Sequence, residues 1–280
     1  MNIRPTFSKS SDWIKLFYTY TGTPEIYHRY TYDLERGEDE KIVYDYIKKF
    51  SKNKKIVLID LGIGTGRELK FLKEIKNIKK IIGIDYSKPM LDFCKNTWEH
   101  FLIPLKLIQD DFRNLKNSKK TIQNIESPKI FTLLFGTINN TTERDRLLTL
   151  KTVKKLMTKD DRLIIDFSKV PEKQIADYKH PWIKFKERKE ELSFYDTKVF
   201  IELDFFWKVA KKHFGTIPQF FYDKKTRNIV ITISGVGNCF FSHRYTKKEI
   251  GDLIKKVGLK IEMFKDGKEM YISIIRNNQQ

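Results

Sequence analysis

The sequence predicts an open α/β fold: a twisted, mostly parallel sheet of seven strands whose last strand runs antiparallel, covered by helices. Three observations carry that expectation. Apolar runs alternate with segments of helical periodicity from residue 56 to 167, the pattern of successive βαβ units. The first three runs, Ile56 to Ile59, Ile81 to Ile84 and Leu105 to Ile108, are each followed by an acid: Asp60, Asp85 and the pair Asp110-Asp111. The carboxyl edge of such a sheet is where ligands bind. The first run also passes into Gly62-Ile63-Gly64-Thr65-Gly66, where the backbone can turn sharply and approach a ligand that a Cβ would strike.

Residues 1–50 are expected to form an N-terminal helical extension. Tyr18, Tyr20, Tyr27, Tyr30 and Tyr32 crowd around the turn signal Gly22-Thr23-Pro24. Tyr18, Tyr27 and Tyr30 either close over a cofactor or cation with their ring faces, or pack on the sheet with their hydroxyls in water. Ile42, Val43, Tyr46, Ile47 and Phe50 recur at helical spacing and lead into the sheet.

The central domain is expected to comprise residues 51–168 and 244–280. Its first strand is apolar throughout, as befits a central parallel strand covered on both faces. A helix follows with Leu69, Phe71, Leu72 and Ile75 inward. Beyond Asp85, Ser87-Lys88-Pro89 fits a helix start, with serine as N-cap and proline in the first turn. The fourth strand, 130–135, runs into Gly136-Thr137-Ile138-Asn139-Asn140, and a helix over 143–157 precedes the fifth strand at 162–167. Thr246 and Glu249 form a capping box that opens a further helix. Strands at 260–264 and 270–275 then run antiparallel around Asp266-Gly267.

Residues 169–243 remain as an α+β lid inserted after the fifth strand. It is expected to hold a strand (198–202), a helix (204–214) and a hairpin pairing 219–222 with 229–234. An insertion at that place hangs over the ligand edge and is positioned to select the substrate.

Composition narrows the function. The chain is 40% hydrophobic and 14% aromatic, which excludes a disordered chain. Cys94 and Cys239 are its only cysteines, too few for a disulfide framework or a four-cysteine metal site, and they fit a reducing, cytoplasmic setting. No metal cofactor and no membrane partner are expected, since no apolar run is long enough to span a bilayer. The formal net charge of +19 raises nucleic acid as a partner, yet most of the excess is dispersed lysine. Basic and aromatic residues interleave only around Lys208, Lys211, Lys212, Lys224, Lys225 and Arg227, with Phe220, Phe221 and Tyr222 between them. This stretch is either an RNA-binding surface or a solvated hairpin.

The glycine turn departs from the dinucleotide pattern. There the third glycine follows the second by three residues, whereas Gly66 follows Gly64 by two. Asp60 stands directly before the turn, where a carboxylate disfavours phosphate and suits an ammonium-bearing ligand.

In these segments the sequence resembles the class I S-adenosylmethionine-dependent methyltransferases, with their Rossmann-like sheet. Asp60 to Gly66 is similar to their first motif, Gly83-Ile84-Asp85-Tyr86-Ser87-Lys88-Pro89-Met90-Leu91 to their second, and Gln109-Asp110-Asp111-Phe112 to their third. The resemblance implies S-adenosyl-L-methionine as cofactor, leaving as S-adenosyl-L-homocysteine. Asp60, Gly62, Gly64, Thr65 and Gly66 would hold its methionyl part. Asp85 would accept both ribose hydroxyls, with Ser87 beside it. Asp110, Asp111 and Phe112 would meet the adenine edge, and Tyr86 and Met90 its ring. Tyr27, Phe135, Gly136 and Thr137 would complete the cofactor's surroundings.

A second resemblance, to the histidine Nα-methyltransferases of ergothioneine synthesis, rests on Gly136 to Asn140, on Phe205-Phe206-Trp207-Lys208-Val209-Ala210 with Phe214-Gly215, and on Ser242-His243-Arg244-Tyr245-Thr246. It implies that Asn140 holds an acceptor's carboxylate, with Asn139 and Tyr18 nearby, and that Ser242 contacts its side chain. In that family a glutamate two residues before this serine reads the imidazole. Phe240 stands here instead and suits an apolar or aromatic acceptor. The expected activity is N-methylation of a small-molecule amine or amino acid, with Asn140 positioning the acceptor and Tyr30, His243 or water removing the amine proton. The alternatives are an RNA methyltransferase and an inactive cofactor-binding partner subunit. By itself, Asn140 could equally cap the following helix.

Overall fold

The structure, a computed structural model, describes residues 24, 25, 27, 28, 38–170, 219–223, 225–233, 237–268 and 270–278 of the 280-residue chain. The expected strand at 198–202, the expected helix at 204–214, and Tyr18 and Tyr30 lie outside the described residues.

Helix α1 (Glu38–Phe50) carries Glu38, Asp39 and Glu40 in its first turn and Lys48 and Lys49 in its last, the charge order that complements a helix dipole. It buries Val43 and Ile47. The carboxylate of Asp39 accepts from the backbone N–H groups of Lys268 (2.6 Å) and Met270 (3.0 Å), fastening the start of α1 to the far end of the chain.

The chain then alternates: β1 (Ile56–Leu61), α2 (Leu69–Leu72), β2 (Ile78–Asp85), α3 (Lys88–Thr97), β3 (Leu105–Gln109), α4 (Lys119–Gln123), β4 (Lys129–Leu133), a 3-10 turn (Ile138–Asn140), α5 (Glu143–Leu156) and β5 (Arg162–Ser168). After the insertion, α6 (Lys247–Lys256) leads to β9 (Leu259–Asp266) and β10 (Met270–Asn277). These strands form one seven-stranded sheet in the order β3-β2-β1-β4-β5-β10-β9. Its strands pair in parallel as far as β5, and β10 lies antiparallel to both neighbours.

All six residues of β1 are buried, and the two faces of the sheet carry separate apolar layers. One gathers around Phe131, Leu133 and Phe167, the other around Ile47, Leu58 and Ile81. The strand order reverses between β1 and β4, which opens a crevice at the carboxyl end of these two strands.

Two local expectations change. The helix after the glycine turn is a single turn, Leu69–Leu72, with residues 62–68 in turns before it. The expected two-stranded hairpin belongs to a separate three-stranded sheet of β6 (Gln219–Asp223), β7 (Asn228–Ile233) and β8 (Gly237–His243). The chain leaves the large sheet after Ser168 and rejoins beside it, where Tyr245 N donates to Ser168 O and Lys169 bridges Tyr245. Among the described residues no helix is long and apolar enough to cross a membrane, and no cluster of three metal-ligating side chains occurs.

Candidate active site

The glycine turn hangs from β2: Gly62 N (2.7 Å) and Ile63 N (3.2 Å) both donate to Ile84 O. Gly62 has φ +87°, and a Cβ there would lie 2.7 Å from Thr137 Cγ2, so the turn sits directly against the loop after β4. Asp85, at the end of β2, takes Gly64 N on Oδ2 and Ser87 N on Oδ1, each at 2.9 Å. Burial pushes its pKa up to about 6, against the lowering effect of those amides. Asp60 is buried at the end of β1, and its Oδ1 accepts from Thr132 Oγ1 at 2.9 Å. Burial pushes Asp60 up to about 7; the Thr132 hydroxyl opposes this, and the neighbouring carboxylates Asp85 and Asp166 add to it.

Past β3 the two adjacent acids part. Asp110 turns inward: Oδ1 accepts from Asp111 N, and Oδ2 from Asn117 N, Ser118 N and Ser118 Oγ at 2.7 to 2.8 Å. Asp111 faces the crevice, gripped by Arg113, which also reaches Asp145 at the start of α5.

The loop after β4 is bent by two consecutive residues at positive φ, Phe135 (+56°) and Gly136 (+76°). Asp166, at the end of β5, accepts from both of their amides, Phe135 N at 2.6 Å and Gly136 N at 2.9 Å. The Arg67 guanidinium lies 4.0 Å from the Phe135 ring centroid and pairs with Glu40 of α1 at 3.1 Å. The following 3-10 turn separates two asparagines. Asn139 is buried, donating Nδ2 to Ser168 Oγ (2.6 Å) and accepting from Ser168 N (3.3 Å). Asn140 faces the crevice.

The crevice encloses about 720 Å³, open solvent included. On the β2 and β3 side its walls are Asp85, Tyr86, Met90, Asp111, Phe112 and Arg113; on the β4 side they are Phe135, Thr137, Asn140 and Thr141. Gly62 and Gly64 form the floor between them, and Tyr27 closes one side.

The structure thus gathers eleven of the expected residues around one cavity, adds Arg113 and Thr141, and places others elsewhere. Asp110 is a loop brace, because its carboxylate is absent from the cavity lining and is tied to four local donors, whereas the Asp111 carboxylate, though held by Arg113, lines the cavity. Thr65 is buried, hydrogen-bonded to His28 Nδ1 (3.2 Å), while its carbonyl accepts from Trp98 Nε1 (3.0 Å). Gly66 packs against Cys94 and Trp98, and Ser87 caps α3 by accepting from Met90 N. Gly136 and Asp60 sit behind the wall. Asn139 braces β5 and does not face the cavity.

The proton-accepting role expected of His243 does not fit its place. Its Nδ1 is hydrogen-bonded to Asn228 Oδ1 (2.7 Å), and its Nε2 lies 3.4 Å from Glu249. Burial, with Arg146 nearby, drives its pKa down to about 4. Ser242 is buried and accepts from Arg244 Nη1 at 2.7 Å, away from the cavity lining. Phe240 pairs with Val230 through the backbone of β8. Arg113 carries its own sequence signal, an arginine two residues after an acid at a strand end.

Residues 52–233 match the family described as a methyltransferase domain, well over half of the chain. The chain belongs to that family. It is an S-adenosylmethionine-dependent methyltransferase with a Rossmann-like fold. Solved structures share the fold of this methyltransferase. An S-adenosylmethionine-dependent methyltransferase from Clostridium acetobutylicum ATCC 824 is 12% identical, with 88% of this chain and 94% of that one covered and a TM-score of 0.53. The PH0226 protein from Pyrococcus horikoshii OT3 is 17% identical, with 95% and 99% covered and a TM-score of 0.54. The magnesium protoporphyrin IX methyltransferase from Synechocystis PCC 6803, solved with bound cofactor, is 9% identical, with 96% and 97% covered and a TM-score of 0.52. At these identities the likeness is one of fold. No curated protein matches the methyltransferase in sequence.

The residues present fit the cofactor. Two buried carboxylates, Asp60 and Asp85, are held at raised pKa beside a glycine floor, and a cation placed there offsets the cost of their ionisation. The aromatic rings of Tyr86 and Phe112 and the thioether of Met90 offer a surface for a purine.

Proposed function

We propose that this methyltransferase carries the methyl group of S-adenosylmethionine to the nitrogen of a small-molecule amine or amino acid. The observation that supports it is the uncharged β4 side of the crevice, where Thr137, Asn140 and Thr141 line the cavity beside Phe135. The two hydroxyls donate to Leu134 O and Ile138 O and keep oxygen lone pairs, and Asn140 brings an amide. Such a wall orients an acceptor by hydrogen bonds without adding a fixed charge next to the sulfonium. The transfer is an in-line displacement: the nitrogen lone pair forms the new C–N bond, the C–S bond breaks, and S-adenosylhomocysteine leaves with the former bonding pair on sulfur. The enzyme's contribution is to hold the three atoms collinear at near-attack distance.

Among the described residues on the β4 side of the lining, none titrates near neutral pH, so the acceptor reacts as free amine with its proton already given to water. kcat/KM then rises about tenfold per pH unit until the acceptor's own pKa is reached. A flat profile over that range would point to a base within the protein.

An RNA acceptor held at the hairpin tip has less support, because the Arg227 guanidinium is engaged by Glu249 of the capping box. Labelled S-adenosylmethionine supplied with fractionated cell extract separates the two. Label in small amines supports the proposal, and label in RNA or protein replaces it.

A further inference from the structure

Arg113, like Thr141, belongs to the cavity wall without being part of any of the sequence motifs. Its backbone N donates to Asp111 Oδ1 at 3.0 Å. Its side-chain Nε lies within 3.1 Å of Oδ1 and 3.0 Å of Oδ2, and Nη2 donates to Oδ2 at 2.8 Å. The guanidinium therefore meets the carboxylate side on and engages both of its oxygens, the geometry that fixes orientation as well as distance. Nη1 points the other way, to Asp145 Oδ2 at 2.9 Å, and the Arg113 carbonyl accepts from Thr152 Oγ1 at 2.8 Å. Two residues of α5 thus hold the arginine that holds Asp111. The three charged side chains are 12% to 18% exposed, so the pairing is shielded from bulk water yet open to the cavity.

A carboxylate in an ion pair is an acceptor only, with no proton to donate. A 6-oxopurine carries an N–H at N1 beside its oxygen, which a carboxylate free to turn could follow; one fixed toward the 6-substituent favours an amine there and opposes an oxygen. We infer that Arg113 is a positioning residue for nucleobase choice: by clamping Asp111 onto α5, it makes the site accept a 6-aminopurine and reject the 6-oxo analogue. The inference rests on Asp111 facing the purine edge of the cofactor, and it adds to that reading a second residue and a specificity.

The test is a titration that compares S-adenosylhomocysteine with S-inosylhomocysteine, in which a carbonyl replaces the exocyclic amine and N1 becomes a donor. Wild-type protein is expected to prefer the adenosyl ligand by about 100-fold, as a polar site left facing the wrong partner does. Arg113→Ala is expected to reduce the preference below about tenfold, mainly by weakening the adenosyl ligand. Arg113→Lys, a point charge without the fork, is expected to restore part of it. The ratio compares two ligands on one folded protein, so a general loss of stability does not move it. If Arg113→Ala does not fold, the lysine variant carries the comparison. Asp111→Asn, whose amide can also donate, is expected to relax or invert the preference. Should Asp111→Asn collapse the ratio while both Arg113 variants keep the wild-type value, the role given to Arg113 is overturned and Asp111 still reads the base. If no variant alters the ratio, or wild type shows none, Asp111 does not read the base and the inference falls with it.

Discussion

The β2 and β3 side of the crevice draws on one short stretch of chain, residues 62 to 113, whereas the β4 side is assembled from segments far apart in sequence. At the donor end, Asp85 takes its partners from Gly64 and Ser87, and Asp110 takes its partners from residues 111 to 118. These are backbone amides, supplied by turns that any chain with this glycine and acid pattern makes. At the acceptor end, the bend at Phe135 and Gly136 is held by Asp166, and Asn139 is locked to Ser168, whose hydroxyl in turn meets Met270 Sδ at 3.5 Å. The β2 and β3 side rests mainly on local geometry, with Arg113 as its one long-range tie to Asp145 and Thr152 among these contacts, while the β4 side depends on packing between β4, β5 and β10. Substitutions in β5 and β10 are therefore expected to reshape the β4 side before the β2 and β3 side.

The sharpest break in that comparison is Asp85→Ala. With its two-oxygen acceptor removed, the affinity for S-adenosylmethionine is expected to fall by about 100-fold or more, measured by isothermal titration, because hydrogen bonds to a charged group are among the stronger ones. The free protein is expected to lose some stability as well, because the Gly64 and Ser87 amides lose their acceptor, so affinity is compared at a temperature where both proteins are folded. An affinity within about threefold of wild type would contradict the donor-end assignment.

The next effect is on pH dependence. Asp60 and Asp85 have folded-state pKa values near 7 and 6, above the ordinary carboxylate value of 3.8. Between about pH 4 and 7 the folded free protein binds more protons than the unfolded chain, so these groups lower stability as pH rises through that window. A cationic ligand favours the ionised forms. Its affinity is expected to strengthen by about tenfold or more from pH 5.5 to 8, with proton release on binding near pH 6.5. Titration in buffers of different ionisation enthalpy measures that release. Proton uptake would reverse the electrostatic account.

The smallest effects divide two neighbours. Asn139→Ala leaves the Ser168 groups unpaired and is expected to cost about 1–3 kcal/mol in thermal or denaturant unfolding. Asn140→Ala is expected to leave stability within about 0.5 kcal/mol and cofactor affinity unchanged, while slowing methyl transfer. Equal losses of stability in the two variants would erase the distinction between brace and wall.

Much of this molecule follows from its sequence. Apolar period, strand-end acids and the glycine turn made legible the mostly parallel seven-stranded sheet and its antiparallel last strand, because the type of each element depends on neighbours within a turn or a strand. Tertiary structure alone decided which of two adjacent acids faces the crevice, which of two asparagines does, and that His243 is packed away. Those choices turn on the direction of side chains in loops and a 3-10 turn, where periodicity gives no guide and partners lie 15 to 29 residues away, as between His243 and Asn228 or Asn139 and Ser168. The third strand of the small sheet, β8, was also settled only by pairing. The clamp from Asp111 through Arg113 to α5 needed folding for the same reason: Asp145 stands 32 residues from Arg113 and meets it only once β4 has crossed between them.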